Sequence, residues 1–440
     1  MTDRQKNITL NFPKKFLWGA ATAAHQVEGG NHNQWSVWEL ENARTLAVQA
    51  EHNVNYVPAW DEIKAEATKP DNYISGQASD HFRQYEKDFD ILKKMNMNAF
   101  RFSVEWSRIE PNEGAWSAEG ITHYKRYIQA LKDRGIEPVM TLFHFTLPVW
   151  FAEKGGFEKQ GNIKYFLRFA EKVLREIGTH VRYVVTINEP EVYATMSYGE
   201  GAWPPNKTSK MAKIKVLRNM VTAHNKTAKL AHKVSRRYKV GVAYNVAFHY
   251  AGDDALLSQA TTKVKQWARD DFFLNAVRRS TDWIGVNYYF SERYYGYRSH
   301  NPNNQVSDLG WDMQPENIQF VLERLFAKYG KPLMVTENGV ADRNDEYRQW
   351  WISKTLQAMH KALKNGVPLE GYLHWSLLDN FEWSYGKWPR FGLIEVDYET
   401  GKRRPRKSAA WLARVLKHIQ ELAAALEHSR VALGTHWLPG

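Results

Sequence analysis

The sequence predicts an α/β protein built as one closed (β/α)8 barrel with long loops at one mouth, and three observations carry that prediction. Short apolar runs recur eight times along the 440 residues, each ended by polar or aromatic side chains. Segments with helical apolar spacing separate them, the alternation of a parallel β/α protein. Glycines stand at the ends of several helical segments just before the next run, where a left-handed C-cap turns the chain.

The runs fall at 17–22, 99–103, 138–143, 183–187, 240–245, 283–288, 333–336 and 371–376. Helical stretches are read at 84–95, 121–134, 163–177 and 347–364, and Gly135, Gly330 and Gly366 punctuate helix-to-strand passages. Parallel strands need crossover connections, and eight strand-helix units close on themselves as a barrel. The competing architecture is an open doubly wound sheet, which takes nucleotides through G-x-G-x-x-G or G-x-x-x-x-G-K-[ST] turns. No such turn follows any of the runs. With no Pro- or Ser-rich linker and no low-complexity tract, residues 1–440 are assigned to one domain, with 427–440 read as a C-terminal extension. The stretch 43–78 is read as a loop-rich insertion after the first run, of a length that often forms part of a site wall.

Composition bounds the chemistry. The chain is 43% hydrophobic and 25% charged, enough for a large core, and its aromatics reach 14%, with 18 Trp and 22 Tyr. Such aromatic surfaces stack on ring-shaped ligands. No cysteine occurs, which excludes disulfides, thiolate metal sites and a Cys nucleophile. Residues 1–11 are polar, without an apolar signal core, and no apolar run is long enough to span a bilayer; the expectation is a cytoplasmic protein with no membrane partner. The net charge of +12 and the run Lys402-Arg403-Arg404-Pro405-Arg406-Lys407 raise the question of a polyanion. Lysines and arginines elsewhere are scattered among acids and no nucleic-acid module motif is present, so no nucleic-acid partner is expected.

In a β/α barrel the reacting groups project from the carboxyl ends of the strands, so the residues that close each run matter most. They are His25-Gln26-Val27-Glu28-Gly29, Arg101-Phe102-Ser103, His144-Phe145-Thr146-Leu147-Pro148, Asn188-Glu189-Pro190, Asn287-Tyr288-Tyr289, Thr336-Glu337-Asn338-Gly339 and Trp375-Ser376. A lone Glu at a strand end is usually just solvated. Together these ends gather two carboxylates, an Arg, a His, Asn, Gln and several aromatics at one mouth. Glycosidic-bond hydrolysis asks for such a pair, one carboxyl protonating the leaving oxygen and one acting at the anomeric carbon. Glu189 and Glu337 close the fourth and seventh runs, across the mouth from each other.

At this point the chain resembles family one of the glycoside hydrolases, the β-glucosidase and β-galactosidase family, over nearly its entire length. The matching pieces are Phe16-Leu17-Trp18-Gly19-Ala20-Ala21-Thr22-Ala23, Gln26-Val27-Glu28-Gly29, Phe100-Arg101-Phe102-Ser103 with Trp106-Ser107-Arg108, and Asn188-Glu189-Pro190. Further on come Thr336-Glu337-Asn338-Gly339, Trp375-Ser376-Leu377-Leu378-Asp379-Asn380-Phe381-Glu382-Trp383 and Arg390-Phe391-Gly392-Leu393. The resemblance implies a retaining exo-β-glycosidase, most of all a β-glucosidase with β-galactosidase or β-fucosidase activity, acting on small β-glycosides or oligosaccharides without cofactor or metal. Glu337 would be the nucleophile and Glu189 the acid/base. Arg101 and Tyr289 would keep Glu337 ionised, whose charge would in turn raise the pKa of Glu189. Asn188 would hold the sugar 2-hydroxyl. Strand alternation sends Asn188 and Glu189 to opposite faces, so the strand end is expected to bend there. By the same matching Gln26, His144, Glu382 and Trp383 would bind the other hydroxyls, Trp375 would form a platform, Phe391 would border the substrate, and Trp311 would lie on the leaving-group side.

The chain departs from the family pattern in three places. Phe145 follows His144 where the family commonly has Trp, keeping a ring and losing a donor. The connection 247–283 and the stretch 289–311 are short, from which a more open leaving-group side is expected. The 43–78 insertion is unmatched. Three alternatives bear on function. A 6-phospho-β-glycosidase would use a phosphate-binding Lys, and Lys387 is near enough in sequence, although Glu382 would repel the phosphate. A carbohydrate-binding relative without turnover would normally lose one Glu. A metal-dependent hydrolase needs clustered ligands, whereas His81, His224, His232, His249 and His374 are widely spread and are expected to be structural or exposed.

Overall fold

Eight parallel strands close into a barrel: β1 (Leu17–Ala21), β2 (Ala99–Ser103), β3 (Glu137–Phe143), β4 (Tyr183–Asn188), β5 (Lys239–Asn245), β6 (Trp283–Asn287), β7 (Leu333–Glu337) and β8 (Leu369–Trp375). Their order around the ring is the order of the chain, and β8 pairs back onto β1 with Leu17 opposite Gly371 and Ala21 opposite Trp375. The computed structural model describes residues 10–301 and 305–434. Each strand faces the barrel interior on one side and helices on the other, which is why the strands read as unbroken apolar runs rather than alternating ones.

The helices take their places by the same burial. In Ile163–Glu176 the buried residues are Ile163, Phe166, Phe169, Ala170, Val173 and Leu174, a stripe at helical spacing laid against the sheet. Helix Ala118–Asp133 begins earlier than its apolar residues suggest because Ser117 caps it, accepting from the Gly120 N–H at 3.0 Å. Gly135, Gly330 and Gly366 all adopt positive φ, as their punctuating role requires. The helix Lys407–Gly434 takes in the first part of the expected extension at 427–440, and 435–440 lie outside the described residues.

The stretch 43–78 is mostly helical, which corrects the expectation of a loop. Helix Gln34–Val54 opens on a capping box between Asn33 and Ser36, and helix Trp60–Ala67 and a 3-10 turn at Pro70–Tyr73 follow it. Ala43, Ala47, Ala50 and Val54 are its buried stripe, small residues whose periodicity is faint in sequence. This insertion braces the loops after β7 and β8: Asn72 Oδ1 accepts from the backbone N–H groups of Lys387 and Trp388, and Glu66 pairs with Arg343 and Arg390.

The five histidines singled out in the sequence have partners within the fold. His81 lies between Asp88 and Tyr127, His224 between Thr186 and Thr281, His232 against Asp282, His249 against Tyr294, and His374 against Tyr372.

Gly339, last of Thr336-Glu337-Asn338-Gly339, is fixed by a close approach: a Cβ there would lie 1.7 Å from the Trp375 carbonyl oxygen. The absence of a side chain lets the end of β7 lie against the end of β8. We expect Gly339→Ala to destabilise the protein by about 2 kcal/mol or more, as overpacking at backbone does. Chemical denaturation of the variant beside the parent checks it, and unchanged stability would count against the contact.

Candidate active site

The site is assembled from strand ends. β4 and β5 shift register between Val185 and Asn188, and Glu189 follows with φ at +41°, in the left-handed region. That conformation is the expected bend. It turns Glu189 toward the mouth that Asn188 already faces, and Pro190 then starts the next helix at its first position. A left-handed Glu is strained, and such strain is found where a side chain must be aimed.

Arg101 is the hub beneath the mouth. Buried on β2, it donates from Nε to Thr141 Oγ1 at 3.1 Å, from Nη1 to the Thr336 carbonyl at 3.3 Å and to Glu337 Oε1 at 2.5 Å, and from Nη2 to Asn188 Oδ1 at 2.7 Å. The other Glu337 oxygen accepts from the Tyr289 hydroxyl at 2.6 Å. Glu189 is held differently. Its Oε1 accepts from Asn287 Nδ2 at 2.7 Å and from Asn245 Nδ2 at 3.3 Å, amides without charge. The Asn287 amide also reaches Asn188 Oδ1 at 3.1 Å, and its own oxygen accepts from Thr336 Oγ1 at 2.7 Å. One network thus ties both carboxyls to β2, β4, β5, β6 and β7.

The two environments push proton affinity apart. Glu337 is raised by burial, an effect that Arg101, Tyr289 and Asn287 offset only in part. Glu189 is pushed up to about 8, first by burial and second by the charge of Glu337, against smaller lowering from Asn287 and Asn245. The neighbouring charge expected from the sequence is thus one cause of the raised pKa, and burial is the larger. Burial and Arg101 hold His144 well below the ordinary histidine range, so it is neutral.

A cavity of about 630 Å³ opens over these groups. Gln26, His144, Asn188, Glu189, Tyr289, Trp311, Glu337, Trp375, Glu382, Trp383 and Phe391 all line it, so the residues assigned to a glycosidase site meet there except Arg101, which lies beneath. His144 and Trp375 stack at 5.9 Å, and Trp311 packs on Phe391 at 6.1 Å and Tyr289 at 5.7 Å. Glu382 Oε2 accepts from Asn380 Nδ2 at 2.9 Å and Gln26 Nε2 at 3.2 Å, and burial pushes its pKa up to about 7. Gln26 Oε1 and His144 Nδ1 are buried without a protein partner, a standing acceptor and a ring nitrogen for polar ligand groups. Phe145 keeps its ring in the lining, packed at 5.0 Å on Trp203 and 5.2 Å on Trp383.

Sequence reasoning missed Asn245, Asn287 and Asn380. Asn287 was quoted as the end of β6 yet given no role, and Asn245 closes the fifth run, whose end was passed over. Lys387 faces elsewhere: its ammonium reaches the Asp71 carbonyl at 3.3 Å, and the residue is not among those lining the cavity. The short 247–283 connection supplies wall of its own, since Lys265, Ala268 and Arg269 line the cavity. The 43–78 insertion contributes no lining residue among those described.

The family model described as glycosyl hydrolase family 1 matches residues 8–281 and 273–421. Beta-glucosidase A of Acetivibrio thermocellus is 28% identical, covering 93% of this chain and 99% of its own. A beta-galactosidase of Sulfolobus acidocaldarius is also 28% identical, over 95% of this chain and 97% of its own. Among solved structures, the beta-glycosidase from Pyrococcus horikoshii superposes with a TM-score of 0.82 at 33% identity, covering 94% of this chain and 96% of that one. The beta-glucosidase from Thermotoga maritima in complex with glucoimidazole superposes with a TM-score of 0.81 at 26% identity, over 93% and 99% of the two chains.

Proposed function

The chain belongs to glycosyl hydrolase family 1 and is a β-glycosidase, and from that premise we propose a retaining exo-β-glucosidase with Glu337 as nucleophile and Glu189 as acid/base. The observation that carries the reading is the pair of carboxyls in one cavity, one against Arg101 and Tyr289, the other against neutral amides with its pKa near 8.

In the first step a Glu337 oxygen attacks the anomeric carbon as the bond to the leaving oxygen breaks, and Glu189 gives its proton to that oxygen. The sugar is then an ester of Glu337. Esterification removes the negative charge that was the second cause of the raised Glu189 pKa, so Glu189 is now a carboxylate able to accept a proton. Water attacks the anomeric carbon, loses its proton to Glu189, and the ester bond breaks. Two inversions give net retention. Asn188, fixed by Arg101 and Asn287, is suited to the 2-hydroxyl, where contacts strengthen as oxocarbenium character grows. Gln26, His144, Glu382 and Trp383 hold the remaining hydroxyls, Trp375 and Phe391 supply apolar surface, and Trp311 stands toward the leaving group.

Glucose as terminal sugar is supported by the names of the relatives, and galactose as a second preference by the beta-galactosidase among them. The position of Lys387 and the carboxylate of Glu382 speak against a 6-phosphate. Residues 1–440 act as one domain, and the cytoplasm is the setting we propose for it. Among the described residues no helix is long and apolar enough to cross a membrane.

Proton NMR of the first product, together with a panel of nitrophenyl glycosides, tests this. We expect the β-anomer to be released first, the β-glucoside to be the best substrate, and the 6-phospho-glucoside to be poor. Release of the α-anomer would mean a single displacement and overturn the assignment of Glu337.

A further inference from the structure

The helix Leu256–Gln266 is amphipathic the wrong way round for a globular protein. Leu256 is 84% exposed, Val264 63%, Leu257 56% and Trp267, just past its end, 53%, while Ser258, Asp270 and Asp271 on the other side are buried. At 100° per residue Leu256, Ala260, Val264, Trp267 and Leu257 form one outward stripe. The start of helix Lys210–Val234 adds Met211, 77% exposed, and Ile214. Both helices border the same opening, since Lys213 from one and Lys265 from the other, with Ala268 and Arg269 in the turn Trp267–Asp271 that follows, line the catalytic cavity. Six of the thirteen exposed large apolar side chains among the described residues thus lie on these two neighbouring segments beside the mouth.

This face is basic as well as apolar. Lys210, Lys215, Lys263 and Lys265 are exposed and have no ion-pair partner among the described residues. Of the nearby acids, Glu158 pairs with Lys207, Glu191 with Lys213 and Glu292 with Arg269, and exposed Glu200 at the mouth has no ion pair among the described residues. Asp253 and Asp254 precede the helix, and Asp253 accepts from the N–H of Ala255, the N-cap residue, at 3.2 Å.

We propose that this face docks on an anionic lipid surface. Apolar side chains flanked by free lysines suit a bilayer interface, where aliphatic groups and a Trp ring enter the headgroup boundary and ammonium groups meet phosphates. The net charge of +12 favours approach to such a surface. A second copy is disfavoured, because a twofold contact through this face sets unpaired lysines against their own kind. A nucleic acid would match the lysines and leave Leu256, Val264 and Trp267 without apolar cover. The earlier expectation of no membrane partner rested on the lack of a spanning segment, and surface docking needs none. It agrees with a cytoplasmic setting, since the inner leaflet is the anionic one.

Cosedimentation of the full chain with phosphatidylcholine vesicles, with and without phosphatidylglycerol, tests the docking. We expect binding only to the mixed vesicles, weakened by salt. Two triple variants, Leu256→Ser with Val264→Ser and Trp267→Ser, and Lys210→Glu with Lys215→Glu and Lys263→Glu, should each bind on the order of ten-fold more weakly. Hydrolysis of a soluble nitrophenyl glucoside should be unchanged in both, which separates this docking from the catalytic assignment. No binding by the parent at low salt, or parental binding by both variants, would overturn the proposal. So would a concentration-dependent dimer lost in the apolar variant, which would give the face to a second copy, or salt-sensitive binding to DNA that both variants lose equally.

Discussion

Glu337→Ala is expected to lower kcat on nitrophenyl β-glucoside on the order of 10^4-fold or more, the scale seen when a covalent nucleophile is removed. The loss should fall on kcat far more than on KM, because Gln26, Glu382 and the aromatic walls still hold the sugar. Added azide or formate should restore part of the rate by occupying the space of the lost carboxylate, and the rescued product should be the α-linked adduct, formed by one inversion. Arg101 and Tyr289 sharpen the expectation. They spend their short contacts on Glu337, so its removal leaves a buried guanidinium without its carboxylate, and an anion entering the gap gains that partner. A loss of less than ten-fold, or a β-linked adduct, would remove Glu337 from the nucleophile's place. Thermal unfolding of the variant separates a chemical effect from a structural one.

The barrel was legible because its physics is repetitive. A strand buried on both faces must be apolar throughout, and β1 at Leu17–Ala21 or β7 at Leu333–Glu337 differ from their sequence readings by a residue at one end. What escaped was written in weaker chemistry. Helix Gln34–Val54 buries three alanines, Val54 and Glu39 beside two tryptophans, Trp35 and Trp38, so its stripe does not stand out from its polar neighbours. In the site, residue types pointed to the glutamates and their supports, but conformation and burial are not written in residue types. Nothing in Asn188-Glu189-Pro190 announces a left-handed φ at Glu189, and that single backbone choice lets neighbouring side chains serve one cavity. Similarly, the sequence offers Glu337 as a charge beside Glu189, whereas enclosure by the finished barrel contributes more to the raised pKa. Asn245 and Asn287 gain their meaning only from the atoms they touch.

Glu189→Gln is expected to divide substrates by leaving group. For a glucoside whose leaving oxygen needs a proton, kcat/KM should fall on the order of 10^3-fold, within the range ascribed to general acid catalysis. A dinitrophenyl glucoside, whose phenolate leaves unaided, should form the glycosyl-enzyme nearly as fast as with the parent and then stall, because water lacks its base. Azide should release that intermediate as the β-linked product, the opposite anomer from the Glu337→Ala rescue. The pH profile gives the second reading. The folded pKa of Glu189, about 8, lies above its ordinary value of 4.5, so the proton required for the first step is present below about 8 and lost as pH rises through it. The alkaline limb of kcat/KM in the parent should therefore fall near that value, and Glu189→Gln, which has no proton to lose there, should flatten it. Stability follows the same sign. Between 4.5 and about 8 the folded protein holds a proton at Glu189 that the unfolded chain has released, so this group's contribution is complete below 4.5 and is lost as pH rises toward 8. Replacing it with Gln should lessen the decline of stability over that interval. An alkaline limb that stays in place in Glu189→Gln would assign the titration to another group, with Glu382, pushed up to about 7 in the same cavity, the first to examine.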